Sequence, residues 1–393
     1  MKTKLLLSLI LTLFVSSLWA YDVEVNGIYY NLVEKGNIAF VTNCVNHYSG
    51  EVTIPSKIDV NGKSYDVTGI GDRAFYLSSK LTKVNIPNSI TSIGTDAFRL
   101  CTSLSSIVLP NSITTIGESA FHECSSLVDI TLPNNLTTIS VKTFYYCISL
   151  TDIVIPNSVT TIKGSAFAEC RSLTNITIPN SVTTLDGGFA HCISLKDITL
   201  PNNITTIQMS CFFDCTSLET ITIPEGVTQI KMNAFTKCSN LKKIILPSSL
   251  KKIETEAFSD CPKLEEIYCH SEQVPTASSE AFANSFIEYC NLYIPENAIN
   301  TYKTSDPWSQ FGKINSLSDG NAIDYIEASS FHVSSIGHMI NIKGVENVNH
   351  IEFYNLSGSY LGTELVVNGD ASFETDEKLV IVKIGDRTIK VKK

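Results

Sequence analysis

The chain has 393 residues, 43% hydrophobic and 17% charged, which excludes a disordered polar tail and supplies enough apolar material for an extended core. Its formal charge of -10 excludes non-specific attraction to nucleic acid or to anionic lipid headgroups unless a basic patch is built locally. In chain order, Lys2 and Lys4 precede the apolar run Leu5 to Val15 and the small residue Ala20, so residues 1–20 read as a secretory signal peptide, cleaved after Ala20 or Ser17. The run is too short to span a bilayer, and no later stretch reaches spanning length, so no transmembrane segment is expected.

Residues 21–65 alternate apolar and polar side chains around Asn-Gly steps, as in "YDVEVNGIYYNLV" and "IDVNGKSYDV". That pattern predicts β-hairpins, placed to shield the first turn of a repeat region.

From residue 66 the chain repeats itself. Phe75, Phe98, Phe121, Phe144, Phe167, Phe189, Phe212, Phe235, Phe258 and Phe282 step by 23 residues, with one step of 22 and one of 24. Prolines and cysteines keep the same phase, and the unit reads roughly L-x-x-I-x-I-P-N-S-[IV]-T-x-I-G-x-x-A-F-x-x-C. This period with an L-x-x-I-x-I core predicts an α/β repeat fold, a leucine-rich-repeat solenoid of parallel strands over 66–314 including its C-terminal cap. Within a unit, "SLVDITLP" alternates as a half-exposed strand that Pro133 ends, "NNLTTIS" returns along the other side, and "VKTFYYC" is expected to form a helical turn in which Phe144 fills the layer. One unit alone cannot bury its apolar face, so stacking is obligatory.

The recurring string I-P-[NS]-S-[IV]-T-x-I-[GK]-x-x-A-F-x-x-C resembles the BspA-type leucine-rich repeats of bacterial surface proteins over about Asp66 to Pro295. Ser78 and Ser285 replace the cysteine in the end units, and "TTLDGGFAHC" has lost one residue. The resemblance implies a secreted or surface-displayed protein that adheres to a protein partner.

Beyond the repeats, "NLYIPENAINTYKTSDPWSQFGKI" reads as a C-terminal cap with Trp308 and Phe311 as its large aromatics. Polar residues 315–324 read as a linker, and strand-like segments over 325–393 predict a small β-sandwich with Val380, Val382 and Ile384 on one face. "IEFYNLSGSYLG" with "VIVKIGDRTIKVKK" resembles the C-terminal β-domains that direct cargo of the type IX secretion pathway.

No constellation in the chain demands catalysis. "GIGDRA", Gly69 to Ala74, fits the weak G-x-G-x-x-A form of a dinucleotide loop, but it is also the I-G-x-x-A-F phase of the first unit, which explains it better. The seven histidines are scattered, none at metal-ligand spacing with another, and no G-x-S-x-G elbow occurs. No cofactor or metal is implied.

Binding residues are therefore sought on the exposed positions of each strand. The candidate face comprises Lys83 and Asn85, Ser106 and Val108, Asp129 and Thr131, Asp152 and Val154, Asn175 and Thr177, Asp197 and Thr199, Thr220 and Thr222, Lys243 and Ile245, Glu266 and Tyr268. Stacked neighbours lie about 4.8 Å apart in such a sheet, giving a central ladder of Thr and Asp. A solvated face that uses Thr for its β-propensity is the simpler reading of any one residue. A continuous partner-binding surface, for an unidentified protein on a host, microbial or matrix surface, is the sharper reading. The alternative is an enzyme or glycan-handling protein whose solenoid is a scaffold and whose site lies elsewhere, in the C-terminal domain for instance.

The chain contains 12 cysteines, eight of them on the repeat phase. Equivalent residues in successive turns keep their Cβ atoms about 5 Å apart, beyond the roughly 3.5 to 4.5 Å that a disulfide needs. Cys101, Cys124, Cys147, Cys170, Cys192, Cys215, Cys238 and Cys261 are therefore expected to form a column of buried reduced thiols acting as small hydrophobes; of the remaining Cys44, Cys211, Cys269 and Cys290, only Cys269 with Cys290 is a candidate pair for a bridge.

Overall fold

The computed structural model describes residues 21–44, 46–318, 332–336, 339–343, 350–355, 360–366, 371–375, 379–384 and 387–392. The expected signal peptide lies outside them, as do residues 319–324 of the expected linker. The chain divides into two compact units, Met1–Leu292 with Asn300–Lys313, and Tyr293–Ile299 with Ile314–Lys393.

The first unit opens with the predicted hairpins. Val23–Val25 pairs antiparallel with Ile28–Val33, which pairs with Ile38–Thr42, and Lys57–Val60 pairs with Lys63–Ile70. The Asn26-Gly27 and Asn61-Gly62 turns have φ of 51° and 79°, and 52° and 82°, the positive values at both positions that match the twist of hairpin strands. The cap is already part of the solenoid: Ile38–Thr42 runs parallel to Lys63–Ile70, and Ser49–Thr53 runs parallel to Lys80–Asn85.

Each solenoid turn has three sides. The first carries short strands such as Ser106–Val108, Asp129–Thr131, Asn175–Thr177, Asp197–Thr199 and Thr220–Thr222, whose central Ile points inward in an exposed–buried–exposed pattern. The second is a parallel ladder of two-residue strands, Thr138–Ile139 to Thr161–Ile162 to Thr184–Leu185, for example. Helix is confined among the described residues to short pieces near the C-terminal cap, with Ile299–Tyr302 the α-helical one.

The third side corrects the expected helical turn. Lys142 and Tyr146 have φ of 55° and 61°, so "VKTFYYC" is not helical. The Lys142, Phe144 and Tyr146 amides donate instead to Gly164, Ala166 and Ala168 of the next turn, at 3.2, 2.8 and 2.9 Å. The two left-handed residues tip alternate N–H groups along the solenoid axis, where a helix would aim them back at its own carbonyls. The pattern recurs: Phe98 donates to Ala120 at 2.7 Å, Phe212 to Ala234 at 2.8 Å, and Phe235 to Ala257 at 2.8 Å. In the unit one residue short, Gly187 (φ 86°) and Gly188 (φ 141°) take the place of the usual left-handed residue and alanine, and Phe167 still donates to Gly188 at 2.9 Å. Such angles strain any residue with a β-carbon, which accounts for the paired glycines.

Inside the coil the phenylalanines form one continuous column. Successive rings from Phe75 to Phe282 lie 4.9 to 5.7 Å apart between centroids and within 15° of parallel. Each contact adds about 0.5–1.5 kcal/mol to the burial of the ring. Beside them run the cysteines, all buried and unbridged, Cys269 and Cys290 included. They are more than small hydrophobes. Cys124 Sγ donates to the Phe98 carbonyl at 3.1 Å, Cys170 to Phe144 at 3.3 Å, and Cys238 to Phe212 at 3.2 Å. Ser285 Oγ makes the same bond to Phe258 at 2.6 Å, which explains how serine replaces cysteine in the last unit.

Both ends of the column are closed by aromatics. Tyr48 packs on Phe75 at 4.7 Å, with its hydroxyl donating to the Thr42 carbonyl at 2.7 Å. At the other end Trp308 and Phe311 meet Phe282 edge-on, at 5.8 and 5.4 Å, and the Trp308 indole N–H donates to the Pro275 carbonyl at 2.8 Å.

Within the C-terminal unit, the described strands from His332 onward form the expected β-sandwich. His332–Ile336, Met339–Lys343 and Ala371–Glu374 form one antiparallel sheet, and Tyr360–Leu365, His350–Asn355, Leu379–Ile384 and Arg387–Lys392 the other. They share a core of Ile340, Ile342, Ile351, Phe353, Ala371 and Val382.

Burial pushes the thiols of Cys101, Cys192 and Cys261 up from 9.0 to about 12. A folded-state value above the unfolded one gives stability that is complete below pH 9 and declines as pH rises from 9 toward 12, because the unfolded thiols ionise first. Each ionising thiol contributes about 1.4 kcal/mol per pH unit. Urea unfolding at pH 8 and pH 10 should show this loss, and the Cys101→Ser, Cys192→Ser, Cys261→Ser triple variant should show less of it.

Candidate functional site: the exposed ladder of the sheet face

The first side of the solenoid brings the predicted residues into two rows. Asp129 lies opposite Ser106 and Thr131 opposite Val108, Asn175 opposite Asp197, and Thr177 opposite Thr199. Thr220, Lys243 and Glu266 continue one row, and Thr222, Ile245 and Tyr268 the other. At the N-terminal end Lys83 lies opposite Glu51, and Asn85 opposite Thr53. Inward-pointing Ile107, Ile130, Ile153, Ile176, Ile198 and Ile221 anchor each rung, so alternation along the strand forces the flanking residues outward.

The face is not one unbroken sheet. Residues 151–156 carry Asp152 and Val154 at the expected level and exposed, but form no strand. The amide bonds on either side of this turn are long, 3.4 Å from Thr151 to Val128 and 3.4 Å from Thr174 to Thr151.

Asn85, Lys243, Ile245 and Glu266 are half-buried, and one predicted residue is fully covered. Tyr268 is 5% accessible: its ring is covered by the Lys243 ammonium at 4.2 Å, and its hydroxyl donates to Glu266 at 3.3 Å. A long amphipathic side chain beside a wide aromatic covers it in a way that strand alternation does not foresee.

Charge is distributed unevenly. At the N-terminal end Lys83 Nζ and Asn85 Nδ2 donate to the Glu51 carboxylate at 2.9 and 2.7 Å, holding it below the ordinary 4.5. At the C-terminal end Lys242 bonds Glu219 at 2.9 Å, holding that carboxyl down too, and Lys243 lies 3.7 Å from Glu266. Between them the carboxylates of Asp129, Asp152 and Asp197 are exposed and have no ion pair or hydrogen bond among the described residues. The second row beside them is methyl-bearing: Val108 and Val154 are 71% and 77% exposed, with Thr131, Thr177 and Thr199 also open to solvent.

Other polar residues on the repeat phase have structural tasks. Ser112, Ser158 and Ser181 hydroxyls donate to carbonyls of the preceding turn at 2.7, 2.7 and 2.8 Å. Asn111 Oδ1 and Asn180 Oδ1 accept the amides of Asn134 and Asn202, each at 2.9 Å. The "GIGDRA" amides are also engaged: Gly71 donates to Val41 at 2.8 Å and Arg73 to Thr95 at 2.8 Å, leaving no cradle for a pyrophosphate. Among the described residues no three His, Cys, Asp or Glu side chains converge as a metal-ligand set.

The strand composition could not show a further feature, a series of aromatics and cations on the third side. Arg99 lies over Tyr76 at 5.9 Å, Arg171 over Tyr146 at 5.5 Å, and Lys237 over Phe213 at 5.5 Å. These partners are one turn apart in sequence, so only the fixed period brings them together.

Stacked parallel turns of this length, cored by one phenylalanine each and displaying a variable strand face, define a leucine-rich-repeat solenoid. The model of the BspA type leucine rich repeat region matches six copies over residues 68–188 and 186–305, and the chain belongs to that family. Its fold is similar to a leucine-rich repeat protein from Bacteroides ovatus, at 25% identity and a TM-score of 0.54, covering 76% of this chain and 77% of that one. A leucine rich cell surface protein from Faecalibacterium prausnitzii is 27% identical over 62% of this chain and 93% of that one, with a TM-score of 0.32. The T. pallidum leucine rich repeat protein is 25% identical over 62% and 90%, with a TM-score of 0.35. No curated protein matches. Proteins of this family are typically secreted or surface-displayed repeat scaffolds and generally not enzymes. Among the described residues no helix is long and apolar enough to cross a membrane.

The outward position of the valine row is directly testable. Val154→Lys should change unfolding free energy by no more than about 0.5 kcal/mol. Ile153→Ala, one residue away and 4% exposed, should cost about 2–5 kcal/mol in the same denaturant titration.

Proposed function

We propose that this chain is a non-catalytic adhesion protein, secreted or displayed at the cell surface, which holds a protein partner against the sheet face of its solenoid. The signal peptide and the C-terminal β-unit, read as a sorting-like domain, belong to the same proposal as its means of delivery.

The observation that carries it is the contrast along the face. Charges at both ends are paired within the molecule, whereas the central Asp129, Asp152 and Asp197 have no partner among the described residues and stand beside a row of exposed Val and Thr. Val and Thr are stiff at χ1, so covering them costs little side-chain entropy. Three open carboxylates supply orientation and steer association more than they supply affinity. The turns beneath are held by hydrogen bonds and packed rings, so the surface is pre-formed.

An enzyme would need convergent titratable groups in an enclosed pocket. The surface grooves along the solenoid, one of about 470 Å3 near Asp214 and Phe286 and one of about 350 Å3 near Met232 and Glu254, are open, and no histidine lines either.

The test is reversal of the ladder's charge in the full chain, Asp129→Lys, Asp152→Lys and Asp197→Lys together, with surface plasmon resonance against purified matrix and host-surface proteins. A partner bound by the unaltered chain should lose at least about tenfold in affinity, mostly through faster dissociation and slower encounter. Unchanged affinity in a triple variant that unfolds at the same denaturant concentration would remove the central ladder from the function.

A further inference from the structure

At the end of the third side of the solenoid and the corner that follows it, an open groove of about 470 Å3 is lined by residues of four successive turns. One wall is one repeat position sampled four times, Asp214, Lys237, Asp260 and Asn284, and the other is the position two residues on, Thr216, Ser239, Pro262 and Phe286. We infer that this groove is a glycan-binding site, and that it takes a neutral, extended, β-linked polysaccharide chain lying along the solenoid axis.

Spacing supports this first. The stacked rings of Phe212, Phe235, Phe258 and Phe282, one per turn beneath the groove, lie 5.1, 5.1 and 5.6 Å apart between centroids. That step is comparable to the advance per sugar of an extended β-linked chain, so each turn offers one polar side chain to one sugar.

Side-chain chemistry supports it next. The Phe286 ring is 51% exposed on a left-handed backbone (φ 49°), a conformation disfavoured for a residue with a β-carbon, and it presents an aromatic face at the groove's end. A flat ring flanked by carboxylate, amide and ammonium groups matches a sugar, which has an apolar C–H face and a hydroxyl rim. The polar groups are oriented by neighbours. Asp260 Oδ1 accepts from Asn284 Nδ2 at 2.9 Å, Asp214 Oδ2 lies 3.0 Å from His191 Nδ1, and Lys237 sits over Phe213 at 5.5 Å. Such support fixes a binding site's geometry before the ligand arrives.

Two other occupants fit less well. A peptide adding as a strand needs free backbone donors, but Asp214, Lys237 and Asp260 spend their amides on Thr236, Ser259 and Ala283 of the next turn at 2.8, 3.0 and 2.8 Å. An acidic glycan would meet two carboxylates against one ammonium.

The test uses the full chain and three soluble probes: hexamers of β-1,4-linked glucose, of β-1,4-linked N-acetylglucosamine, and of galacturonic acid as the anionic control. Isothermal titration should show at least one neutral hexamer bound with Kd below about 1 mM and the galacturonate hexamer not bound. Phe286→Gly suits the left-handed backbone and removes only the ring, and Asp260→Asn keeps the side-chain shape. The first should weaken binding at least about tenfold, the loss of an aromatic anchor, and the second should weaken it by a smaller factor. Absence of binding for both neutral hexamers, stronger binding of the galacturonate hexamer, or equal binding by correctly folded Phe286→Gly would each overturn the inference.

Discussion

The hydrogen bond from each phenylalanine N–H, Phe75 through Phe258, to a carbonyl of the next turn is the constraint on which the rest of the solenoid depends. It joins the turns on the side that has no regular strand, and it holds the phenylalanine at the same height in every layer. Rings so held stack into one column that needs no adjustment from turn to turn. The carbonyl of the same residue works in the opposite sense: Phe98 C=O accepts the Cys101 amide at 3.1 Å and the Cys124 thiol at 3.1 Å, filling both lone pairs. A cysteine suits this corner because it is small and apolar yet carries a weak donor, and the corner lies too deep for an unsatisfied carbonyl. The column of unbridged thiols thus has a local explanation, in which each of its eight thiols closes one hydrogen bond to a phenylalanine carbonyl.

Rigidity of this kind separates structure from recognition. The repeated Phe, Cys, Ile, Ser and Asn positions are occupied by packing and by turn-to-turn hydrogen bonds, which leaves few of them available to a ligand. What varies between units lies outward: the two rows of the strand face, and the side chains around the left-handed residues of the third side. The solenoid therefore carries two surfaces of different chemistry. One is methyl-rich and acidic at its centre, and the other is aromatic and mixed in charge.

Much of this was legible in the sequence. The phenylalanine period set the number and phase of the turns, Asn-Gly steps marked two of the three hairpin turns, and Cβ geometry alone argued against bridges in the cysteine column. The third side was hidden, because its left-handed positions are held by residues such as Arg73, Leu77, Lys142 and Tyr146, which carry no local signal for positive φ. Tertiary hydrogen bonding imposes that conformation against propensity. Strand alternation foresaw the outward position of Asp129, Thr131, Asn175, Thr177, Asp197 and Thr199, and failed at Tyr268, where a neighbouring lysine covers the ring. Pairings across a turn, such as Arg171 with Tyr146, depend on side-chain direction as well as on period, so they became visible only in three dimensions.

Native-state hydrogen exchange tests the central constraint most directly. The Phe121, Phe144 and Phe167 amides, which donate across the third side at 2.9, 2.8 and 2.9 Å, should exchange as slowly as the Gly117 and Lys163 amides of the regular ladder, each 2.9 Å from its acceptor. All five would then open only with the cooperative unfolding of the coil. Exchange of the phenylalanine amides at the rate of surface loops, while Gly117 and Lys163 stay protected, would contradict the account, because the turns would then be joined by their strands and not by the phenylalanine edge.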